Sequence, residues 1–451
     1  MVYSTGVASP VATEFFRTIG AREWHFGIIS GISMWMLTLQ FAGGIISNRI
    51  QRRKPFFLVS LISARLFYIF IAFLPLIFPA MRRSLLLGII ITFICLIHAV
   101  HNIAHPLWLS WMGDLIPRRV LNSYWGERQR WMYIAWTVSF AVVILFTWLT
   151  DLPVKTAYPI LACFGVAAGV IDILLFVWVK EPVNTGAPRR KILETLTAPL
   201  KNRDFRSFLV FSCSWHGFAM FAASFMQLYV LKELNVPVWQ TTLIWCVSGI
   251  GIALSSRKWG RVADTYGHRP VLVMCMSMKP LILIVFLFVS RNSAVWLLSV
   301  AFLFDSICNA GIMVASNGYT LKTAPRENRS MFIAAYTGLA GIAGGIGAIA
   351  GGVFLEAFER ISFTFFHMTW TNYHLLFLSD IPLRAVCIIL AFLIKEPKSR
   401  TPGQLFYEIR GTLRLTGLQL AAGFYRTVNK NITKIKNKIK NGSDNPDNNI
   451  P

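Results

Sequence analysis

Polar and ionisable residues are scarce in the long apolar runs of this chain, and those present fall on helical spacings. Asp305 and Asn309 lie one helical turn apart, with Ser316 further along a similar face. His98, His101 and His105 follow an i, i+3, i+7 spacing with Asn102 beside them. Ser212, His216, Ser224 and Gln227 form a third polar stripe, next to Trp215. A charge or imidazole at membrane depth is costly and marks a solute or ion pathway by default. A carboxyl can hold a solute or exchange a proton, and an imidazole titrates near neutrality. The plainer reading of Asp305 is a hydrogen bond to Asn309 and to a neighbouring helix. Three histidines on one face also suit a metal, but no carboxylate accompanies them, so we expect neither a metal site nor a cofactor.

The elements that must position these groups are membrane spans. Of 451 residues, 55% are apolar and only 14% charged, against about a quarter charged in a soluble domain. Runs of the length that crosses a bilayer cover residues 25–47, 56–79, 84–112, 129–150, 157–179, 207–231, 239–256, 270–290, 294–318, 331–355 and 373–394. A large soluble helical protein is thereby excluded. The net charge of +24 does not point to a nucleic-acid partner, because it gathers in alternate loops. Arg49, Arg52, Arg53 and Lys54 form one cluster, Arg118, Arg119, Arg128 and Arg130 another, and Arg257, Lys258, Arg261 and Arg269 a third; seven more basic residues lie between 180 and 206. This positive-inside asymmetry places those loops, the central linker and the C-terminus in the cytoplasm. The seven cysteines sit inside apolar runs without a CxxC pair and read as small apolar residues. No cleavable signal peptide is visible.

Three landmarks occur twice in the same order. Gly44-Ile-Ile-Ser-Asn48-Arg49-Ile-Gln-Arg52-Arg53-Lys54 is answered by Gly260-Arg261-Val-Ala-Asp264-Thr-Tyr-Gly267-His268-Arg269-Pro270. Pro117-Arg118 is answered by Pro325-Arg326, and Lys180-Glu181-Pro182 by Lys395-Glu396-Pro397. The offsets are 216, 208 and 215 residues, the mark of a six-helix unit duplicated in tandem. The Gly-x3-Asp loop followed by Gly and a basic cluster resembles the signature of the major facilitator superfamily, whose halves are parallel repeats. The resemblance, to a bacterial-type member of no identified subgroup, implies an all-α integral membrane fold of two six-helix bundles related by a pseudo-twofold axis. We therefore divide the chain into an N-terminal bundle (1–183), a cytoplasmic linker with an amphipathic helix carrying Leu193, Leu196 and Leu200 (184–206), a C-terminal bundle (207–397) and a basic cytoplasmic tail (398–451). Trp24 aligns with Trp239, which leaves the first helix of the N-terminal bundle truncated, and a late-annotated start is the expected reason. Tail residues Lys430, Lys434, Lys436, Lys438 and Lys440 surround Ile432, Ile435 and Ile439, a pattern that favours anionic lipids.

In the family, helices 1, 4, 7 and 10 line a central cavity. The resemblance thus implies that the stripes of Asp305, of His98, and of His216, Gln227 and Trp215 surround one compartment. It also implies that Asp264 faces the start of the fifth helix near residues 123–128, a gate latch, with Asn48 as a weaker twin. Gly260, Gly267, Arg269, Arg52 and Arg53 shape these gating loops. Arg65, Asp172, Lys279 and Arg384 read as structural charges, and Trp108 and Trp111 as interfacial anchors. Gly341/Gly345 and Gly347/Gly351 sit at the four-residue spacing that lets helices pack closely. The expectation is a secondary active transporter of a small organic solute in the plasma (inner) membrane, working as a monomer by alternating access and coupled to a proton or another cation. A drug or metabolite efflux antiporter is the alternative, although the fifth span lacks that group's Gly- and Pro-rich signature; a non-transporting sensor on the same scaffold is another. The chain has no GxxxxGK[ST] loop and no HExxH, paired-carboxylate or nucleophile motif, so an enzyme is not expected.

Overall fold

In a bilayer each backbone polar group must be satisfied within the chain, and apolar runs of this length meet that demand as helices. The computed structural model describes residues 2–117, 121–182, 199–323, 329–365, 368–396, 399–404 and 407. Among them, 11 helices are long and apolar enough to cross a membrane. The linker around 184–198 and the basic segment of the tail lie outside the described residues.

The first segment is a pair, α1 (Val2–Ala8) and α2 (Pro10–Thr18). Pro10 pushes Ser9 out of the helical region (φ −78°, ψ 174°) and so breaks it. Then come α3 (Glu23–Trp35), a 3-10 turn (Met36–Leu39) and α4 (Gln40–Arg49). Four single helices complete the first half: α5 (Lys54–Ile77), α6 (Arg83–Leu115), α7 (Leu121–Leu149) and α8 (Val154–Leu175). The second half holds α9 (Arg203–Lys232), α10 (Val238–Tyr266), α11 (His268–Met278), α12 (Pro280–Phe288), α13 (Ala294–Thr323), α14 (Arg329–Ala357) and α15 (Asn372–Phe392). Lys279 separates α11 from α12 because Pro280 has no N–H to continue the ladder and opens the next helix instead.

One element departs from the all-α expectation. Strands β1 (Ser362–Phe365) and β2 (Met368–Thr371) form an antiparallel hairpin with Ser362 opposite Thr371 and Phe363 opposite Trp370. Phe and Thr alternate there, and such side chains suit a pleated surface.

The halves are joined unevenly. On the side away from the basic loops they share one apolar core, in which Val11, Phe15 and Tyr158 belong to the same cluster as Phe225, Tyr229 and Tyr373. On the basic side the core divides in two. Phe57, Trp108 and Trp111 pack within the first half, and Phe208, Val271 and Tyr319 within the second. Polar contacts between the halves gather at the joined end. The Lys232 ammonium and the Tyr373 hydroxyl (3.2 Å) both donate to Glu23 Oε1. Gln227 donates to Thr13 Oγ1 (2.8 Å), and Arg22 stands 4.0 Å from Glu356.

Helix α14 forms the main seam through its glycines. A Cβ on Gly341 would lie 2.6 Å from the Met34 carbonyl oxygen, and one on Gly345 would strike the Trp35 ring, so this face lies against α3. Gly347 and Gly351 meet the backbone of Gly217 and Phe221 on α9 instead. The two four-residue spacings therefore serve two different neighbours.

Candidate functional site

A cavity of about 1030 Å³ lies beside the joined core, lined by the helices of the first half other than α4 and by α9. Its wall on α6 carries His98, His101 and His105, so the helical spacing read from sequence does place all three on one face. Ser33 of α3 shares a 3.0 Å hydrogen bond with His98 Nε2. The rings of His101 and His105 stand 6.3 Å apart, and that of His105 stands 5.9 Å from Trp108. Pro106 interrupts α6 at this level, where it can offer no N–H to the carbonyl of Asn102. The Asn102 side chain donates to the His98 carbonyl (2.9 Å) and accepts from Gln40 (3.0 Å). From α9 the cavity receives Ser224 and Gln227.

Charge enters from three further helices. Arg65 of α5 donates through Nη2 to Asp172 of α8 (3.1 Å), and its guanidinium sits 4.9 Å over the Tyr3 ring. Arg128 of α7 lies 4.7 Å over the Trp108 ring. Two buried polar atoms in this lining have no hydrogen-bond partner among the described residues: Arg65 Nη1 and Ser224 Oγ. Arg65 and Asp172 were read separately from sequence as structural charges; they form one pair, and it faces the cavity.

The expectation of a single compartment does not hold for the rest. Asp305, Asn309, His216 and Trp215 are not among the residues that line the cavity. Lys279 takes up the first two, its Nζ lying 2.6 Å from Asp305 Oδ1 and 2.8 Å from Asn309 Oδ1. Asn309 in turn donates to Asp305 Oδ2 (2.9 Å), which closes the triangle. Trp215 lies beside this cluster, with Lys279 Nζ at 5.6 Å and the Arg384 guanidinium at 5.7 Å from its ring centroid. Arg384 pairs with Asp380 (2.8 Å) on its own helix. His216 is held by the Ser212 carbonyl (2.8 Å) and meets the Tyr336 ring edge-on. A helical stripe fixes which residues share a face, and the break at Lys279–Pro280 decides what reaches that face.

The gating loops are largely helix. Gly260 and Asp264 belong to the last turns of α10, and residues 44–49 to α4. Helix α10 runs on through Tyr266; only Gly267, at φ 98°, takes the left-handed conformation that ends it. Asp264 is exposed and makes no hydrogen bond or ion pair among the described residues. The side chains of Ser123 and Trp125 in its expected partner segment, 123–128, lie outside that description, as does the side chain of Asn48. Arg52 is exposed.

The other loop cations are anchored within their own half. Arg53 is fully buried and donates to Ser110 (2.6 Å) and Asp114 (2.7 Å). The backbone N–H groups of Arg53 and Lys54 donate to Glu181. In the second half, Glu396 accepts from the N–H of Arg269 (2.8 Å) and from Lys322 (2.9 Å), and shares a 2.9 Å contact with His268. Burial works against the charged form of Glu396, but the hydrogen bonds from His268, Arg269 and Lys322 outweigh it and bring its pKa down to about 2. The repeated Lys-Glu-Pro thus has a purpose: each glutamate caps the start of the third span in its half. Sequence reading recognised the repeat and missed this role. It also missed Glu23, whose partner Lys232 lies 209 residues away.

Residues 218–425 match the family model described as Major Facilitator Superfamily. No curated protein matches the chain. Among solved structures, the nucleoside transporter NupG superposes with a TM-score of 0.64 at 14% identity, covering 87% of this chain and 96% of that one. A bacterial homolog to the human lysosomal transporter Spinster, inward-facing and occupied, gives 0.61 at 13% identity, with 87% and 94% covered. A POT family transporter in complex with a thioalcohol-conjugated peptide gives 0.60 at 11% identity, with 88% and 96% covered. Identities this low establish the fold alone. Taken with the eleven spans, they show a multi-pass membrane protein with the major facilitator fold, whose second half matches that superfamily's model.

Proposed function

We propose that the chain is a secondary active transporter that moves a small organic solute by rocking its two halves about the cavity. The observation that carries this reading is the uneven join: one apolar core on one side of the membrane and two on the other, with a cavity lined by the first half and by Ser224 and Gln227 of the second. Two states of that kind give alternating access when the joined end exchanges with the open one. With the basic loops cytoplasmic, the arrangement corresponds to an inward-facing state. The exposed Asp264 then has its expected place in the cycle, since the latch it forms with the start of α7 belongs to the state closed on the cytoplasmic side.

His98, His101, His105 and Gln227 contact the solute. Asp305 and Asn309 act through Lys279 rather than by touching it. A proton gradient supplies the energy, and the imidazoles and Asp305 are the groups able to exchange a proton. The membrane is the plasma (inner) membrane, with the C-terminal tail cytoplasmic, in contact with anionic lipids, and the chain working as a monomer.

Proteoliposomes containing the purified protein test this reading. An imposed pH gradient should drive accumulation of a solute found by screening metabolites for thermal stabilisation, and a protonophore should abolish it. A solute that binds but never crosses, under either orientation of the gradient, would reject transport in favour of a receptor role.

A further inference from the structure

Arg65 and Arg128 bring two cations to the cavity lining and Asp172 one carboxylate. The Arg65–Asp172 pair does not close on itself. Asp172 takes only Nη2, and its side chain is 63% exposed whereas that of Arg65 is 13% exposed. The second arm of the fork, Nη1, is buried and makes no hydrogen bond among the described residues. A buried charged donor left unpaired is costly, and a site that keeps one has a use for it. A guanidinium fork matches a carboxylate in shape as well as charge. The Tyr3 ring beneath Arg65 and the Trp108 ring beneath Arg128 add flat apolar surface next to both cations. The unpartnered hydroxyl of Ser224 lies in the same lining but comes from the other half.

Resting on the transport reading above, we infer that the solute is an organic acid whose carboxylate is held by Nη1 of Arg65, with Ser224 taking a polar group at its far end. Contact with both halves lets the bound anion sense their relative movement.

The test uses the purified full chain in nanodiscs and a panel of aliphatic and aromatic monocarboxylates, each beside its own carboxamide. At least one acid should raise the unfolding temperature where its amide does not. Arg65→Gln should weaken that acid about 10- to 100-fold, the loss of a hydrogen bond to a charged group. Arg65→Lys, which keeps the charge and loses the fork, should fall between and serves if the first variant does not fold. Asp172→Asn should tighten binding several-fold, because a competing carboxylate leaves the guanidinium; a merely structural ion pair would lose stability without gaining affinity. The inference is overturned if no acid surpasses its amide, or if Asp172→Asn weakens binding as Arg65→Gln does. Gradient-driven uptake of amides or cations, with acids excluded, overturns the anion and leaves transport standing. Acids that bind through Arg65 and never cross overturn transport and leave the anion site.

Discussion

The third span of each half carries one buried cation at a corresponding place, Arg65 on α5 and Lys279 between α11 and α12, 214 residues apart. Their surroundings have diverged. Lys279 is enclosed: Asp305 and Asn309 take its ammonium from α13, and Trp215 covers it. Arg65 is half-engaged, by a carboxylate on a different helix that is itself exposed. The sixth spans differ in step. Asp380 and Arg384 of α15 stand 215 residues beyond Gly165 and Gly169 of α8, and those glycines receive α1, with Gly6 against Gly165 and Tyr3 against Gly169. The two halves thus hold cations at similar depth in different settings: Lys279 is neutralised inside the packing, and Arg65 lines a cavity.

The largest effect should come from breaking the enclosed site. Lys279→Met strands the carboxylate of Asp305 and should cost about 3–5 kcal/mol, read from unfolding of the purified protein in detergent. Arg65→Met should cost less than about 1 kcal/mol, because Asp172 can turn to water. Equal losses at the two positions would erase the contrast. Next, Lys279→Met combined with Asp305→Asn should recover more than half of the single-variant loss, since no charge remains unpaired; strictly additive losses would mean that the two residues do not act as a pair. A third variant addresses the backing of the open site. Gly165→Ala sets a Cβ 3.0 Å from Gly6 Cα, so α1 must shift, at a cost of about 1–3 kcal/mol and with faster protease cleavage near Tyr3; an unchanged cleavage rate would separate α1 from the α8 glycines. A fourth variant concerns the glutamate cap of the second half. Glu396 is depressed from 4.5 to about 2, so its contribution is fully present above the ordinary value and is lost as pH falls through about 2. Glu396→Gln should therefore flatten the stability profile between those limits, and an unaltered profile would remove the cap from the account.

Much of this was legible in the sequence, for physical reasons that also mark where legibility stopped. The spans declare themselves because an apolar run of bilayer length has one way to satisfy its backbone. The histidine face of α6 was readable because 3.6-residue periodicity is local. What Asp305 touches was not, because its partner sits at a proline break on another segment. Reading 260–270 as a loop gave too much weight to Gly260, where an added Cβ would meet nothing within 4 Å and the chain stays helical, and too little to Gly267. The hairpin at 362–371 went unread because it falls between spans, where hydropathy says little. Glu23 and Lys232 stand at the ends of different spans, and nothing in either neighbourhood names the other.

The glycine seam of α14 has a mechanical consequence. Interlocking leucines would make two helices move in steps, with each knob climbing out of one hole and falling into the next. Gly341 and Gly345 present bare backbone to α3, a nearly smooth bearing, and the Trp35 indole donating to the Ile342 carbonyl (3.1 Å) is a peg across it. A seam of this kind leaves the contacts of Glu23 with Lys232 and Tyr373 to fix the halves at the joined rim.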